Sequence, residues 1–159
     1  MLVLPVKPAV RYDLGNALGK WLDSDHHISF EPRNPLQFVL PKPDFRSEGC
    51  REDRLRLQAL RNSISDALLK RISHKHALED GVLDDLHEYH ATLLAFEKRG
   101  FPTIDDNDSG IRITWKEAFE DHKQEEHSTL IWDRACVLFN IVALLTAQAD
   151  CCDSTNRES

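Results

Sequence analysis

The sequence predicts a mainly α-helical protein with one minor β element. Three long stretches, at about 52–72, 77–99 and 129–149, repeat apolar residues at the three- and four-residue spacing of a helix. Only residues 111–113 alternate apolar and polar side chains in the way a short strand does. A composition of 41% hydrophobic and 30% charged residues is that of a folded globular chain. We therefore expect helices packed around one core.

Charge, length and cysteine content narrow the class of protein. The 159-residue chain is the size of one domain, and its net charge of −7 does not favour nucleic-acid binding. No apolar run reaches the ~20 residues that a membrane-spanning helix needs. The apolar start, residues 1–4, is shorter than the ~7-residue core of a signal peptide. We expect a cytosolic protein with four free thiols. They are Cys50, Cys136, Cys151 and Cys152.

The first 48 residues predict an extended segment, a short helix and an irregular stretch. Pro5 and Pro8 exclude a helix from residues 1–12. Asp13 is a good N-cap for a helix that two glycines weaken, so that this helix depends on packing. Residues 24–48 hold four prolines and no helical period, which predicts an irregular segment.

The second half predicts a short capped helix, a polar linker and a very apolar last helix. Thr114 and Glu117 have the spacing of a capping box, and residues 120–128 form the linker. Positions 135–147 are apolar at eleven of thirteen places, so we expect this helix to be buried on all sides. Asn140, inside that run, predicts a hydrogen bond to a neighbouring helix or backbone that fixes the register.

Two apolar side chains in the loop 101–110 stand beside acidic and amide residues. Phe101 and Ile104 therefore predict an apolar contact on an exposed loop. The alternative is that Phe101 tucks under the end of the preceding helix and anchors the loop.

The side chains that could carry chemistry do not form a recognisable site. Asp84, His87 and His90 share one helix face, but the chain has no HExxH pattern and no cysteine pair at zinc-finger spacing. Cys136 lies in an apolar helix, which raises a thiol pKa and makes the thiol inert. The acidic residues 105–108 lack the spacing of a calcium loop. We expect no metal, no cofactor and no catalytic residue.

Five ordered blocks carry a resemblance to a known family. The most specific is 132–144, WDRACVLFNIVAL, which is similar to the motif EKACVLFNxAAL. Residues 55–61 resemble an LxxLR helix, 83–90 an LxxYY helix, and 101–119 the segment FP…FTWxDAF. Residues 12–18, YDLGNAL, look like the opening helix. These are motifs of the BRO-one (BRO) domain family, the amino-terminal domain of ALIX-like endosomal sorting proteins.

The resemblance implies a fold and a role. It implies that residues 1–159 are a single, C-terminally truncated BRO domain, the front part of a curved TPR-like helical repeat, with a Pro-rich insertion at 24–48. It implies a non-catalytic scaffold, cytoplasmic and peripherally on endosomes, that recruits ESCRT-III for multivesicular-body or vacuolar protein transport. The partner, the C-terminal helix of an ESCRT-III subunit, docks in the family on helices that follow this segment, so no groove residue is carried over.

Truncation predicts an open apolar helix face. In a helical-repeat array each unit covers the next, so Leu138, Ile141 and Leu145 are expected to be partly exposed. The alternative to the scaffold is a small stand-alone helical adaptor that dimerises through its last helix. An enzyme is the third and weakest alternative.

Overall fold

The computed structural model describes residues 3–23, 48–73, 81–101, 109–120 and 122–157. Within these ranges the protein has four helices and one two-stranded antiparallel sheet. The elements in chain order are α1 (Leu14–Asp23), α2 (Glu48–Ser73), α3 (Val82–Lys98), β1 (Ile113–Lys116), β2 (Gln124–His127) and α4 (Leu130–Arg157). The predicted mainly helical class with a minor β element is confirmed.

The three long helices form the body of the fold, with α3 packed against both α2 and α4. Apolar side chains of α3 at three- and four-residue spacing face the core. They are Val82, Leu86, Tyr89, Leu93 and Phe96. All three helices lie where the apolar spacing predicts them, although α2 begins earlier and α4 runs to Arg157 instead of 149. The predicted start of α3, residues 77–80, lies outside the described residues.

Helix α1 packs against α2 through a close backbone approach. Asp13 caps it as predicted, its Oδ1 accepting the Asn16 N–H at 3.1 Å. The Gly15 N–H donates to Gln58 Oε1 at 3.0 Å. A Cβ on Gly15 would lie 2.9 Å from the carbonyl oxygen of Arg54, so only glycine fits this contact. Glycine lowers the intrinsic helix propensity of α1, and packing against α2 stabilises the helix instead.

The segment after the loop forms a β-hairpin, and the predicted capping-box helix is wrong. Thr114 lies in β1, and its hydroxyl donates across the sheet to Glu126 Oε2 at 3.2 Å instead of capping a helix with Glu117. Strand β2 occupies part of the predicted linker 120–128. The strand predicted at 111–113 begins and ends later than expected.

The N-terminal segment extends this small sheet. The Val10 N–H donates to the Thr114 carbonyl at 3.1 Å, and the Lys116 N–H donates to the Pro8 carbonyl at 2.9 Å. An isolated bridge joins Ala9 to Trp115. Residues 8–10 of the extended segment are therefore held along β1, while the backbone N–H groups of Leu4 and Lys7 donate to side chains of α4.

Candidate interaction surface

A buried polar cluster joins α2, α3, β1 and α4. The Arg61 Nη1 donates to Asp133 Oδ1 at 2.6 Å and to the Tyr89 hydroxyl at 2.9 Å. The Tyr89 hydroxyl in turn donates to Asp133 Oδ2. The Trp115 Nε1 donates to Asp133 Oδ1 at 2.8 Å. All four side chains are buried, so one carboxylate fixes the relative positions of four elements.

The buried surroundings of this cluster set the protonation of Arg61 and Tyr89. Burial, the largest single influence, lowers the pKa of the Arg61 guanidinium, but its interactions with Asp133 and Tyr89 together outweigh burial, so the pKa is raised and Arg61 stays cationic. Burial raises the pKa of Tyr89, which keeps its hydroxyl protonated as a donor. A cluster sealed from solvent cannot meet a substrate, so we assign it a structural role.

The sequence did not predict this cluster, and the apolar stripe expected in α2 did not include Arg61. The structure buries Arg61 on the apolar stripe, between Leu57 and Ile64 at helical spacing. Asp133 likewise continues the buried series of α4 that includes Val137. Opposite charges at stripe positions of two helices were the signal that could have identified the pair.

Asn140 provides the second polar contact on the buried side of α4, and its predicted hydrogen bond is confirmed. Its Oδ1 accepts the Lys7 N–H at 2.6 Å, and its Nδ2 donates to the Lys7 carbonyl at 2.9 Å. The Nδ2 also donates to the Cys136 carbonyl at 3.1 Å. The side-chain amide thus pairs with both backbone groups of one residue and fastens the N-terminal segment to α4.

The opposite side of α4 is an exposed apolar stripe, which we call the α4 seam. Its largest members are each between 43 and 49% exposed, and its alanines are also exposed. The seam consists of Ile131, Ala135, Leu138, Val142, Leu145, Ala149 and Cys152. Successive members are four and three residues apart, which keeps them in one narrow line along the helix. The helix is therefore buried on one side only, and the prediction of burial on all sides is wrong.

Of the three residues expected on an open face, two are exposed and one is buried. Leu138 and Leu145 lie on the seam, but Ile141 is only 6% exposed, so its predicted exposure is wrong. At ~100° per residue, Ile141 is turned ~60° from Leu138 and reaches the core, while Val142 takes its place on the seam. Truncation as the cause of the open face stays a prediction.

An exposed aromatic side chain widens this surface. Phe119, in the turn between β1 and β2, is 69% exposed. Its ring meets Phe139 of α4 edge-on, with ring centroids 6.4 Å apart. Phe139 follows Leu138 in α4, so the two rings extend the apolar surface beside the seam.

Phe101 does not contribute to an exposed contact. It is 1% exposed, and its ring packs against Phe96 at 4.8 Å and Trp21 at 5.4 Å between centroids. The alternative, an aromatic ring tucked under the end of α3, is the correct one. Ile104 lies outside the described residues.

By length and composition alone, α4 is apolar enough to cross a membrane over Leu130–Cys152, which corrects the expectation that no run of the chain is long enough. That helix buries Asp133 and Asn140 against partners in the same protein. These pairings fit a helix packed within the fold, with one face open, better than a helix in lipid.

The remaining candidate sites show no assembled chemistry within the described ranges. No three His, Cys, Asp or Glu side chains converge there on a metal position. Burial raises the pKa of the Cys136 thiol to about 12, which leaves it protonated and inert, as its apolar surroundings predict. The acidic residues 105–108 lie outside the described chain.

A groove of about 270 Å³ lies between α2 and α3. Its lining includes Ala91, Ala95 and Phe96. Two ion pairs also line it, Arg56 with Glu88 and Arg99 with Asp53. Because these charges are already paired with one another, the groove presents little that would orient a small ligand.

The comparisons with known proteins identify the family. A family model described as the BRO1-like domain matches residues 33–159, about four fifths of the chain. Neither the curated proteins nor the solved structures gave a significant match. BRO1-like domains are known as non-catalytic protein-binding modules, and membership of the family suggests a protein-interaction module of endosomal sorting. The matched region includes four of the five motif blocks together with the α4 seam, and the chain belongs to the BRO domain family.

Proposed function

We propose that the protein is a non-catalytic scaffold of endosomal sorting that acts in the cytoplasm and peripherally on endosomes. Its role is protein transport through multivesicular bodies or to the vacuole, with ESCRT-III recruitment as the task of the complete domain. The observation that supports a role in binding most strongly is the α4 seam, an exposed apolar surface in a family of protein-binding modules.

The shape of the seam favours a protein partner over a small ligand. From Ile131 to Cys152 the seam is ~31 Å long at 1.5 Å per residue, and it lies along the outside of a helix instead of in a cavity. Its neighbouring charges are already paired, Arg134 with Glu97 at 3.0 Å and Lys7 with Glu117 at 3.2 Å. Binding there would thus depend on apolar packing.

The docking of ESCRT-III is a separate part of the proposal. We place the groove for the C-terminal helix of an ESCRT-III subunit outside residues 1–159, and the seam is a second contact surface. A labelled peptide of such a helix is then expected to show no saturable fluorescence-anisotropy change with this chain. Tight binding that Leu138→Lys abolishes would instead identify the seam as the ESCRT-III site.

Localisation in cells tests the role of the seam. A fluorescently tagged chain is expected to coincide with an endosomal marker, and the variant Leu138→Lys with Leu145→Lys is expected to be diffuse. Leu55→Lys is the matched control, since Leu55 is 62% exposed but lies on α2. Identical diffuse signals for all three proteins would contradict the proposal, as would an unchanged endosomal signal for the seam variant.

A further inference from the structure

We infer that β1 and the buried side of α4 form a binding site for an extended peptide segment with the pattern apolar–Lys–Pro–apolar. Residues 3–10 of the chain occupy this site and compete there with such a segment of another protein. We call it the strand site, and it consists of β1, Glu117, Trp132 and Asn140. The site lies apart from the α4 seam, so the inference does not depend on the function proposed for the seam.

The strand site recognises the backbone of its occupant. The Asn140 side chain pairs with both the N–H and the carbonyl of Lys7, at 2.6 and 2.9 Å. The edge of β1 opposite β2 accepts the Val10 N–H and donates to the Pro8 carbonyl. None of these hydrogen bonds requires a particular side chain of the occupant. An extended peptide that adds to the edge of a sheet binds in this way.

A pocket for one basic side chain supplies sequence specificity. The Lys7 Nζ lies 3.2 Å from Glu117 Oε1 and 4.9 Å from the centroid of the Trp132 ring. Only 12% of the Lys7 side chain is exposed. A carboxylate and an aromatic face together favour a cation, and partial burial strengthens both interactions. The strand site therefore selects a basic residue at this position of its occupant.

Apolar side chains on both sides of the lysine complete the pattern. Val6 and Ala9 are 7% and 4% exposed, and Pro8 is buried as well. Pro5 and Pro8 restrict the backbone of the segment before it binds, which lowers the entropy lost on binding. The contacts of residues 6–9 thus define the pattern that the strand site accepts.

The strand site and its occupant differ in their relation to the family. All of the site lies within residues 33–159, which match the BRO1-like domain, whereas residues 3–10 lie outside that match. An empty site would leave the Asn140 amide, the Glu117 carboxylate and one edge of β1 without these partners, which is costly at a partly buried surface. The occupant is therefore expected to leave in exchange for a segment of the same chemistry.

Peptide exchange tests the inference. A labelled peptide of residues 3–10 is expected to bind the wild-type chain weakly, because the same residues compete from within the chain at an effective concentration in the millimolar range. Val6→Asp in the chain places a carboxylate at a buried position, which should vacate the site and tighten binding of the peptide at least ~10-fold in fluorescence anisotropy. Val3→Asp is the matched control, since Val3 is 40% exposed, and that chain should bind like wild type.

Changes in the peptide and in the site test the pattern. Lys7→Glu in the peptide should abolish its binding to the Val6→Asp chain, and so should Glu117→Lys added to that chain. A Val6→Asp chain that is folded by circular dichroism but binds no more tightly than wild type would overturn the inference. Equal binding of the Lys7→Glu peptide would show that the site does not select a basic residue.

Amide hydrogen exchange of the wild-type chain tests the same exchange if Val6→Asp does not fold. The N–H groups of Lys7 and Val10 are expected to exchange by local opening, faster than those of Leu86 and Leu93 in the buried part of α3. A single free energy of opening for all four groups would show that residues 3–10 leave the site only when the whole chain unfolds. That result would also overturn the inference.

Discussion

The two faces of α4 are both largely apolar, and they differ in where the fully buried polar side chains lie. The face toward the core carries Asp133 and Asn140, both fully buried, while the face toward solvent carries Leu138, Val142 and Leu145. A surface helix ordinarily buries its apolar stripe and exposes its polar residues. The comparison teaches that a strongly apolar helix need not be a core helix, because its rare polar groups can mark the buried side.

The energetics of the two faces should differ accordingly. On the buried face, removing one polar partner leaves another group buried without a hydrogen bond or counter-charge, which is costly. On the seam, the side chains are already half exposed, so their removal takes away little of the chain's own stability. Substitutions on the two faces can therefore separate folding from association.

The largest effect is expected at Asp133. Asp133→Ala leaves the Arg61 charge buried without its counter-charge, and we expect a loss of ~3–5 kcal/mol in the free energy of urea unfolding. Glu88→Ala is the control, because it breaks the exposed pair with Arg56 and should cost less than ~1 kcal/mol.

A double variant shows whether the loss comes from the orphaned charge. Arg61→Met with Asp133→Leu removes both charges, and it should be clearly more stable than Asp133→Ala alone, since apolar replacement of a buried pair is often tolerated. If Asp133→Ala unfolds like the exposed control Glu88→Ala, the cluster does not hold the elements together as described.

A comparison of Ile141 and Leu138, which lie on adjacent turns of α4, tests whether the two faces differ in burial. Ile141→Ala removes a buried side chain and should lower the unfolding free energy by ~2–5 kcal/mol, whereas Leu138→Ala should lower it by less than ~1 kcal/mol. Thermal or urea unfolding of the two variants under identical conditions measures the contrast. Equal losses would show that the two residues are buried alike and that the seam is not open.

A moderate and local effect is expected at Asn140. Asn140→Ala leaves both backbone groups of Lys7 without their side-chain partner, and we expect a loss of ~1–3 kcal/mol. Amide hydrogen exchange should accelerate at Lys7 before it does in α3. Gln148→Ala, an exposed change on the same helix, should leave that exchange rate unaltered.

The smallest effect is a dependence of stability on pH through His90. Burial, followed by the positive charge of Arg134, lowers the pKa of His90 below its ordinary 6.5 in the folded protein. As pH falls through 6.5, the unfolded chain takes up the proton first, so stability is lost toward acid. His90→Gln should flatten this part of the stability profile, and a profile identical to wild type would exclude His90 as its source.

The positions of the helices follow from the sequence because apolar spacing alone sets them. The hairpin does not, because β2 reads Gln124-Glu125-Glu126-His127 with no apolar alternation, and its strand conformation depends on pairing with β1. Thr114 and Glu117 satisfy the capping pattern locally, but tertiary pairing gives the Thr114 hydroxyl another partner, Glu126.

The helix that carries the α4 seam could be predicted from the sequence, but the side of it that is exposed could not. The apolar run at 135–147 identified the helix that carries the seam, but composition does not say which side of a uniformly apolar helix faces the core. That choice is made by Asp133 and Asn140, whose partners Arg61 and Lys7 are distant in sequence. Long-range pairing of this kind leaves no local periodicity from which it could be predicted.

We propose that the seam serves contact with another molecule and not the fold of the single chain. Its most direct test is the unfolding free energy of Leu138→Lys with Leu145→Lys, measured by urea at a concentration where wild type is monomeric. The expected value lies within ~1 kcal/mol of wild type, because both side chains are near half exposure. A loss of ~3 kcal/mol or more, comparable to that expected for Asp133→Ala, would show that the seam is part of the chain's own core and would contradict the claim.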